Sequence, residues 1–408
     1  MINPNYESVL TGATLSSFEG FVMGAIRLGS SDVHLEPMAN YLRIRVRVEG
    51  DLVELARIPN PNNMKSSHPF VLQIKARAGM QPYSKHPEDG RLDFEFNGKN
   101  LSLRVATIPQ VFGEKAVLRI FDVARVQSLN SLGFRPNNLD RLKRMASKGS
   151  GMVLVAGPTG SGKTTTLYAV LNHVNNPNRN IVTVEDPVEY FLDGINQIQV
   201  EAESLSFETA MRALLRHDPD VIMVGEIRDS ITADIAFHAA LTGHLVISTL
   251  HATDSVGVLS RLLDLRVPPV LVAQGINGIV AQRLVPRLCP VCAVAVLHAP
   301  FERIKTYEAQ GCNRCHGTGF IGREGVQEVL MLSDRLRKML TVSLNHDDFR
   351  MVAWKEGMQT LKEDGLIKSM EGKVNYRDAL AITDEPLERI LAEINRLADE
   401  LGTNVHRG

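Results

Sequence analysis

The sequence predicts an α/β protein in which a larger domain with a mainly parallel sheet follows a smaller α+β domain. Three observations carry this. From Met152 onward, short apolar runs alternate with helix-patterned stretches, the order that builds a parallel sheet with helices on both faces. A glycine-rich loop joins the first of those runs to the first of those helices. Before it, the strand-patterned stretches alternate apolar with charged residues and meet in a hairpin, as antiparallel strands do. With 408 residues the chain is long enough for two or three domains, each with its own core. We divide it into an N-terminal α+β domain at 1–135, a linker at 136–150 and the larger domain at 151–408. The last includes a cysteine-bearing insertion at 286–325 and a helical part at 330–408.

In chain order, residues from Leu15 to Leu28 fit an amphipathic helix with Phe18, Phe21, Val22, Ala25 and Ile26 on one stripe, closed by Gly29. In Tyr41–Val48 strict alternation puts Leu42, Ile44, Val46 and Val48 on a core face and Arg43, Arg45 and Arg47 opposite. That arginine face reads as a solvated surface or as one docked on a neighbouring subunit. Gln73 to Gly79 reads as a helix end. Asp89–Phe96 and Leu101–Ala106 then form a hairpin across Asn97-Gly98, and Val117–Phe121 is a further strand. Between Val126 and Gly151, Gly133, Pro136, Asn137 and Asn138 break any period before a short basic helix, Leu139 to Lys148. The parallel strands are expected at Met152–Ala156, Ile181–Val184, Val221–Val224 and Leu245–Ser248. A last helix, Pro386 to Leu401, carries Leu387, Ile390, Leu391, Ile394 and Leu397.

The loop Gly157-Pro158-Thr159-Gly160-Ser161-Gly162-Lys163-Thr164 completes the pattern Gly-x-x-x-x-Gly-Lys-Thr. It lies between a buried strand and a helix opening at Thr165, with Leu167, Val170 and Leu171 at helical spacing. That order suits polyphosphate: glycines let backbone N–H groups converge, and the helix start adds partial positive charge. Lys163 would reach the β- and γ-phosphates of a nucleotide, and the Thr164 hydroxyl would ligate Mg²⁺. Hydrolysis needs carboxylates as well. Val221–Glu226 is an apolar strand ending in an acid, so Glu226 is a Mg²⁺-linked ligand or a catalytic carboxylate. Glu185-Asp186-Pro187-Val188-Glu189 gathers further acids where another strand ends.

Composition narrows the class. Lysine plus arginine, 45, balances aspartate plus glutamate, 46, and no basic stripe interleaves with aromatics, so direct nucleic-acid binding is not expected. The opening Met1-Ile2-Asn3-Pro4-Asn5 lacks the pattern of a secretory signal, and the apolar run Val270 to Val285 is interrupted by Gln274, Asn277, Gln282 and Arg283. A cytosolic protein is expected, whose four cysteines are poor disulfide candidates. Cys289, Cys292, Cys312 and Cys315 form two Cys-x-x-Cys pairs with nineteen residues between them. That spacing suits a closed tetrahedral Zn²⁺ site of structural type. A redox pair or a haem-attachment motif ending at His316 accounts for one pair and leaves the other unexplained.

These motifs together carry a resemblance. The stretch Leu215 to Asp229, Leu-Arg-His-Asp-Pro-Asp-Val-Ile-Met-Val-Gly-Glu-Ile-Arg-Asp, resembles the signature of the ATPases of type II secretion and type IV pilus assembly. Ser31 to Pro37 resembles the entry to that family's N-terminal domain, Glu185 to Glu189 its acidic box, and Thr242-Gly243-His244 with Thr249-Leu250-His251 its histidine box. The resemblance runs from about Leu15 to the last helix. It implies a RecA-like P-loop ATPase domain, with ATP and Mg²⁺ bound by Gly157 to Thr165, behind a PAS-like N-terminal domain. It implies Glu189 as the carboxylate that activates water and Glu226 as the Mg²⁺-linked acid, with those roles open to exchange. His244 and His251 would sense the γ-phosphate. Arg104 and Arg119 match positions where the family's N-terminal domain reaches the nucleotide, and Arg91 is a third candidate.

The resemblance also implies a ring of six subunits in the cytoplasm, held peripherally on the inner membrane by a platform protein and driving pilus extension or type II secretion. The cysteine quartet accompanies extension and secretion ATPases rather than retraction ones. A retraction motor, a type IV secretion ring ATPase, a nucleic-acid translocase and a non-hydrolysing scaffold are the alternatives. The segment between the cysteine pairs is short for the group, and the extra N-terminal domain of many members is not read here, so a shorter pilus-type ATPase is expected as readily as a secretion one.

Overall fold

The structure, a computed structural model, describes residues 17–48, 51–59, 67–96, 99–121, 128–200, 204–298, 301–315, 317–342 and 344–384. The hairpin turn expected at Asn97-Gly98 and the helix expected from Pro386 lie outside the described residues. The chain divides into two compact units, Met1–Arg125 and Val126–Gly408.

The first unit opens with α1 (Phe18–Arg27), started by Ser17, whose hydroxyl accepts from the Gly20 amide at 3.1 Å. Its strands are β1 (Asp32–Pro37), β2 (Tyr41–Val48) and β3 (Asp51–Pro59), then β4 (Glu88–Phe96), β5 (Lys99–Gln110) and β6 (Gly113–Phe121) after helix α2 (Pro69–Arg77). They make one antiparallel six-stranded sheet in the order β3-β2-β1-β6-β5-β4. The alternation read in Tyr41–Val48 holds: Leu42, Ile44 and Val46 are buried with Val33, Leu35, Leu103, Val105, Ala116 and Leu118. Phe18, Phe21, Val22 and Ala25 of α1, and Val71 and Ile74 of α2, belong to the same core. The helices therefore cover one face of the sheet, and charged residues occupy the other.

The second unit begins with α3 (Pro136–Ala146), which buries Leu142, Met145 and Ala146 and donates from the Asn138 amide to the Gln327 carbonyl at 3.2 Å. Residues 136–150, read as a linker, thus fold as part of this unit. Its sheet has seven strands. They are β7 (Gly151–Ala156), β8 (Ile181–Glu185), β9 (Asn196–Gln199), β10 (Val221–Val224), β11 (Leu245–Leu250), β12 (Ile276–Leu288) and β15 (Phe320–Met331). The order is β15-β12-β7-β11-β10-β8-β9, with every neighbouring pair parallel except β12 with β15. The ribbon of β13 (Val294–His298) and β14 (Phe301–Glu308) stands apart as a pair.

Alternate residues of β7 point to opposite cores. Val153 and Val155 meet α3 and the helix α4 (Lys163–Val174) through Leu167, Tyr168, Val170 and Leu171. Met152, Leu154 and Ala156 meet α5 (Phe207–Leu214), α6 (Ser230–Leu241), α7 (Ser255–Asp264) and α8 (Pro269–Gly275). A sheet covered on both sides explains why these strands read as unbroken apolar runs. Helices α9 (Asp334–Val342), α10 (His346–Lys355), α11 (Leu361–Met370) and α12 (Tyr376–Leu380) follow β15. Every residue of α11 is buried, and its Lys368 ammonium reaches Asp364 at 2.7 Å, the Gln327 side chain at 2.8 Å and the Gly325 carbonyl at 2.5 Å. Among the described residues no helix is long and apolar enough to cross a membrane.

Candidate functional site

The loop after β7 folds as its glycines require. Gly157 has φ 154°, and a Cβ on it would lie 2.5 Å from the Gln282 carbonyl oxygen, so no larger residue fits. Gly162, at φ 85°, turns the chain into α4. The Lys163 ammonium donates to the carbonyls of Gly157 (2.9 Å) and Pro158 (3.1 Å), across the mouth of the loop. Burial depresses the Lys163 pKa, with the Arg283 charge adding to that and the Glu226 carboxylate opposing it. Ser161 is 3 % exposed, and its hydroxyl oxygen is buried without a hydrogen-bond partner. A buried orphan hydroxyl on the loop that leads into α4 fits a phosphate oxygen.

The acids gather at the same end of the sheet. Because β7, β8, β10 and β11 are parallel, the ends of all four open on the side where the loop begins. Glu226, just past β10, pairs with the Arg228 guanidinium, and its other oxygen lies 3.5 Å from His251 Nε2. A second Arg228 nitrogen lies 3.5 Å from Asp186. A chain of alternating charge, Asp186–Arg228–Glu226, with the His251 ring against its far end, therefore links the loops after β8, β10 and β11. Arg228 was visible within the signature but nothing in its spacing marked it as a bridge. With a hydroxyl at Thr164 and a carboxylate at Glu226, the residues present are oxygen donors of the kind Mg²⁺ takes.

Of the acidic stretch 185–189, Glu185 has a positional role. It is 3 % exposed and accepts from the Tyr168 hydroxyl, from Thr183 Oγ1 at 2.6 Å and from Gln197 Nε2 at 3.1 Å. The Tyr168 oxygen also accepts from the Glu189 amide at 3.2 Å. Burial and the Glu185 charge push the Tyr168 phenol far above its ordinary range, and burial pushes Tyr190 up to about 12. From β9, Gln199 accepts from the Val188 amide at 3.2 Å and Gln197 from the Leu192 amide at 2.7 Å. Glu189, half-buried, thus rides on a loop tied to the phosphate-loop helix through Tyr168, a residue to which the sequence alone assigned no role.

The two histidines part company. His251 follows β11 and sits beside Glu226, whereas His244 precedes β11 and its carbonyl accepts from the Gly151 amide at 3.1 Å, at the start of β7. The six residues of β11 separate them by about 20 Å of extended strand. His244 Nδ1 donates to the Ala239 carbonyl, 3.0 Å away, in the last turn of α6. Expected with His251 as a sensor, His244 lies outside this chain's own phosphate site, because the strand between the two residues sends them to opposite ends of the sheet's strands.

In the first unit, the predicted arginines share one rung of the sheet. Arg104 is the direct cross-strand partner of both Arg119 and Arg91, and Arg119 is in turn opposite Asp32, which is opposite Arg47. Five adjacent strands thus present Arg47, Asp32, Arg119, Arg104 and Arg91 in a row. Arg119 Nε donates to Asp32 Oδ1 at 2.9 Å, and Arg104 lies 3.6 Å from Asp89. Burial would raise the Asp32 pKa, but hydrogen bonds from Arg119 and Ser31 outweigh it and hold the carboxyl below its usual range. Four residues on, Glu36 accepts from Arg43 (2.9 Å), Arg45 (2.7 Å) and Lys115 (3.2 Å). Against the raising effect of burial, the Arg45 and Lys115 bonds bring it to about 2.

The four cysteines converge. Their sulfurs lie within 4.8 Å of one another, with Cys289–Cys312 at 3.9 Å, Cys292–Cys315 at 3.7 Å and Cys312–Cys315 at 3.8 Å. Sulfurs about 2.3 Å from a tetrahedral Zn²⁺ stand about 3.8 Å apart, whereas a disulfide needs about 2.05 Å. Amides of Cys312 (3.1 Å) and Gly319 (3.2 Å) donate to Cys315 Sγ, as suits a thiolate. The cluster fits a structural Zn²⁺ and gives no support to a paired disulfide.

Fold and loop define a P-loop nucleotide-binding class: a RecA-like α/β domain with a mainly parallel sheet. The comparisons narrow this. The chain belongs to the family described as Type II/IV secretion system protein, whose family model matches residues 13–393. It is 38% identical to the type IV pilus assembly ATPase PilB of Thermus thermophilus, covering 91% of this chain and 43% of that protein. It is 40% identical to PilB of Myxococcus xanthus, over 89% of this chain and 66% of that protein. It is 38% identical to the type II secretion system ATPase E of Vibrio cholerae, over 88% and 73%. The chain therefore spans less than two thirds of the length of the two PilB relatives. Among solved structures it is similar to the pilus retraction motor PilT with bound ADP, at a TM-score of 0.65 and 26% identity over 91% of this chain and 98% of that one. The Legionella pneumophila ATPase DotB shares the fold, at a TM-score of 0.67 and 21% identity over 92% and 95%.

Proposed function

We propose that this chain is an ATP-hydrolysing motor that powers type IV pilus extension or type II secretion. The observation that carries the reading is the meeting, at one end of a parallel sheet, of a phosphate loop holding an orphan hydroxyl with the Glu226–Arg228–Asp186 charge chain. Gly157 to Thr165 bind the polyphosphate, and Lys163 turns from the loop carbonyls to the β- and γ-oxygens. Thr164 and Glu226 hold Mg²⁺, which when bound neutralises phosphate charge. Glu189 orients and deprotonates water, and His251 follows the γ-phosphate through its contact with Glu226. Arg104 and Arg119, with Arg91 on the same rung, stabilise charge on the transferring phosphoryl group, an effect on the order of 10³ to 10⁵ in rate for an arginine finger. Since they belong to the N-terminal domain, domain closure couples chemistry to movement.

The working assembly in this reading is a homohexamer in the cytoplasm, peripheral to the inner membrane, acting on a membrane platform protein and not on nucleic acid. Zn²⁺ on Cys289, Cys292, Cys312 and Cys315 is structural. The quartet favours extension or secretion over retraction. The test is turnover by purified variants: Lys163→Ala loses nucleotide binding or turnover, and Glu226→Gln keeps binding and loses turnover. Hydrolysis unchanged in both sinks the assignment.

A further inference from the structure

We infer that Gln282 is a positioning residue for ATP binding, a strut from β12 that sets where the phosphate loop and the first turn of α4 sit. The inference rests on the reading of residues 157–164 as the ATP site.

The register places it there. Ala281 of β12 is opposite Ala156, the last residue of β7, so Gln282 is the first β12 residue beyond the point where the loop departs. Such a buried position of a central strand calls for an apolar residue, and the preceding residues Ile279, Val280 and Ala281 are apolar. Gln282 is instead an amide, 4 % exposed, which must find partners for both ends of its side chain. It finds both on the loop and helix. Nε2 donates to the Ser161 carbonyl at 2.6 Å, and Oε1 accepts from Thr166 Oγ1 at 2.8 Å. The two bonds bracket residues 162–165, which contain the lysine and the threonine assigned to phosphate and Mg²⁺. Its backbone carbonyl is the atom 2.5 Å from where a Cβ on Gly157 would stand, so the loop's first residue rests on it as well.

The next residue extends the grip. The Arg283 guanidinium donates to the Gln282 carbonyl at 3.0 Å and to the Thr253 carbonyl at 2.6 Å, in the loop that carries His251. One step of β12 thus touches both the phosphate loop and the histidine loop. A residue that only filled the core would need neither contact.

The test uses the full chain with fluorescent ATP analogue binding, Mg²⁺ titration of turnover and thermal unfolding. Gln282→Ala is expected to weaken nucleotide affinity about 10- to 100-fold, the range for a buried hydrogen-bond partner removed, and to raise the Mg²⁺ needed for half-maximal turnover. Gln282→Glu can still accept from Thr166 but cannot donate to the Ser161 carbonyl, and should fall with the alanine variant. Thr166→Val removes one bond without changing volume and should weaken affinity about 10-fold. Because Thr166 acts through Gln282, the double variant Gln282→Ala/Thr166→Val should be no weaker than Gln282→Ala alone. Wild-type affinity and Mg²⁺ dependence in the folded variants, whatever their thermal midpoints, overturn the inference, as do fully additive losses. If Gln282→Ala does not fold, Thr166→Val decides by the same two readouts. Failure of the wild-type chain to bind ATP overturns the proposed function and this inference with it, a result distinct from normal variants of a binding-competent chain.

Discussion

Tyr168→Phe separates the placing of the acidic loop from the phosphate loop itself. The change keeps the ring, and with it the edge-on contact with Tyr190 at 4.6 Å between centroids, while removing a hydroxyl that donates to Glu185 and accepts from the Glu189 amide. Glu185 retains Thr183 and Gln197, so a buried carboxylate loses one of its three side-chain donors and an amide loses its acceptor. A charge-assisted buried bond of this kind contributes about 2 to 3 kcal/mol, which for a unit this large lowers the thermal midpoint by about 4 °C. Turnover should fall about tenfold as Glu189 loses its fixed place, with the KM for ATP near wild type because the Lys163 loop is untouched. The defect should be constant across neutral pH, since burial keeps the Tyr168 phenol protonated throughout. The assay is steady-state hydrolysis beside a melting curve. A full loss of stability with kcat unchanged would refute the idea that Tyr168 places the acidic loop.

Three further outcomes are expected. Lys368→Met leaves buried Asp364 without its cation and should cost about 3 to 5 kcal/mol in a denaturant titration, whereas adding Asp364→Leu should recover most of that. Purified protein should carry one Zn²⁺ per chain, and a chelator that strips it should make four thiols reactive to a colorimetric thiol reagent under native conditions; metal analysis finding none counts against the site. Glu36, held at about 2 against an ordinary 4.5, stabilises the first unit above pH 4.5, and that contribution should vanish as pH falls through 2. Its limit is about 3 kcal/mol, reduced to roughly 1 to 2 by solvent around Arg43 and Arg45, which are between a quarter and a third exposed, and Glu36→Gln should flatten the acid limb of a pH–stability curve.

What the sequence made legible follows from the environment of each segment. The alternation of Tyr41–Val48 and the unbroken runs at β7, β8, β10 and β11 each have one structural meaning, and all formed. β12 was hidden because its first seven residues are all buried yet include Asn277 and Gln282, so the stretch read as an interrupted apolar run rather than as a strand. The lysine, the threonine and the cysteines were plain because their chemistry depends on local spacing. Tyr168, Arg228 and Gln282 were not, since each acts on a segment distant in sequence and only the strand order brings the two together. His244 shows the converse: neighbours in a motif are sent to opposite ends by the strand between them.

Helix α11 has contacts with β12, β14, β15 and α12, and every residue from Leu361 to Met370 is buried. A helix so enclosed has no free end from which to fray, and its amides can meet deuterium only when the surrounding strands separate. Its exchange rate therefore reports the opening of the β15–β12 side of the sheet, where Gln282 lies. During synthesis that side stays unsealed until the ribosome has released residue 370, so the nucleotide pocket cannot take its final shape on a nascent chain that stops short of it.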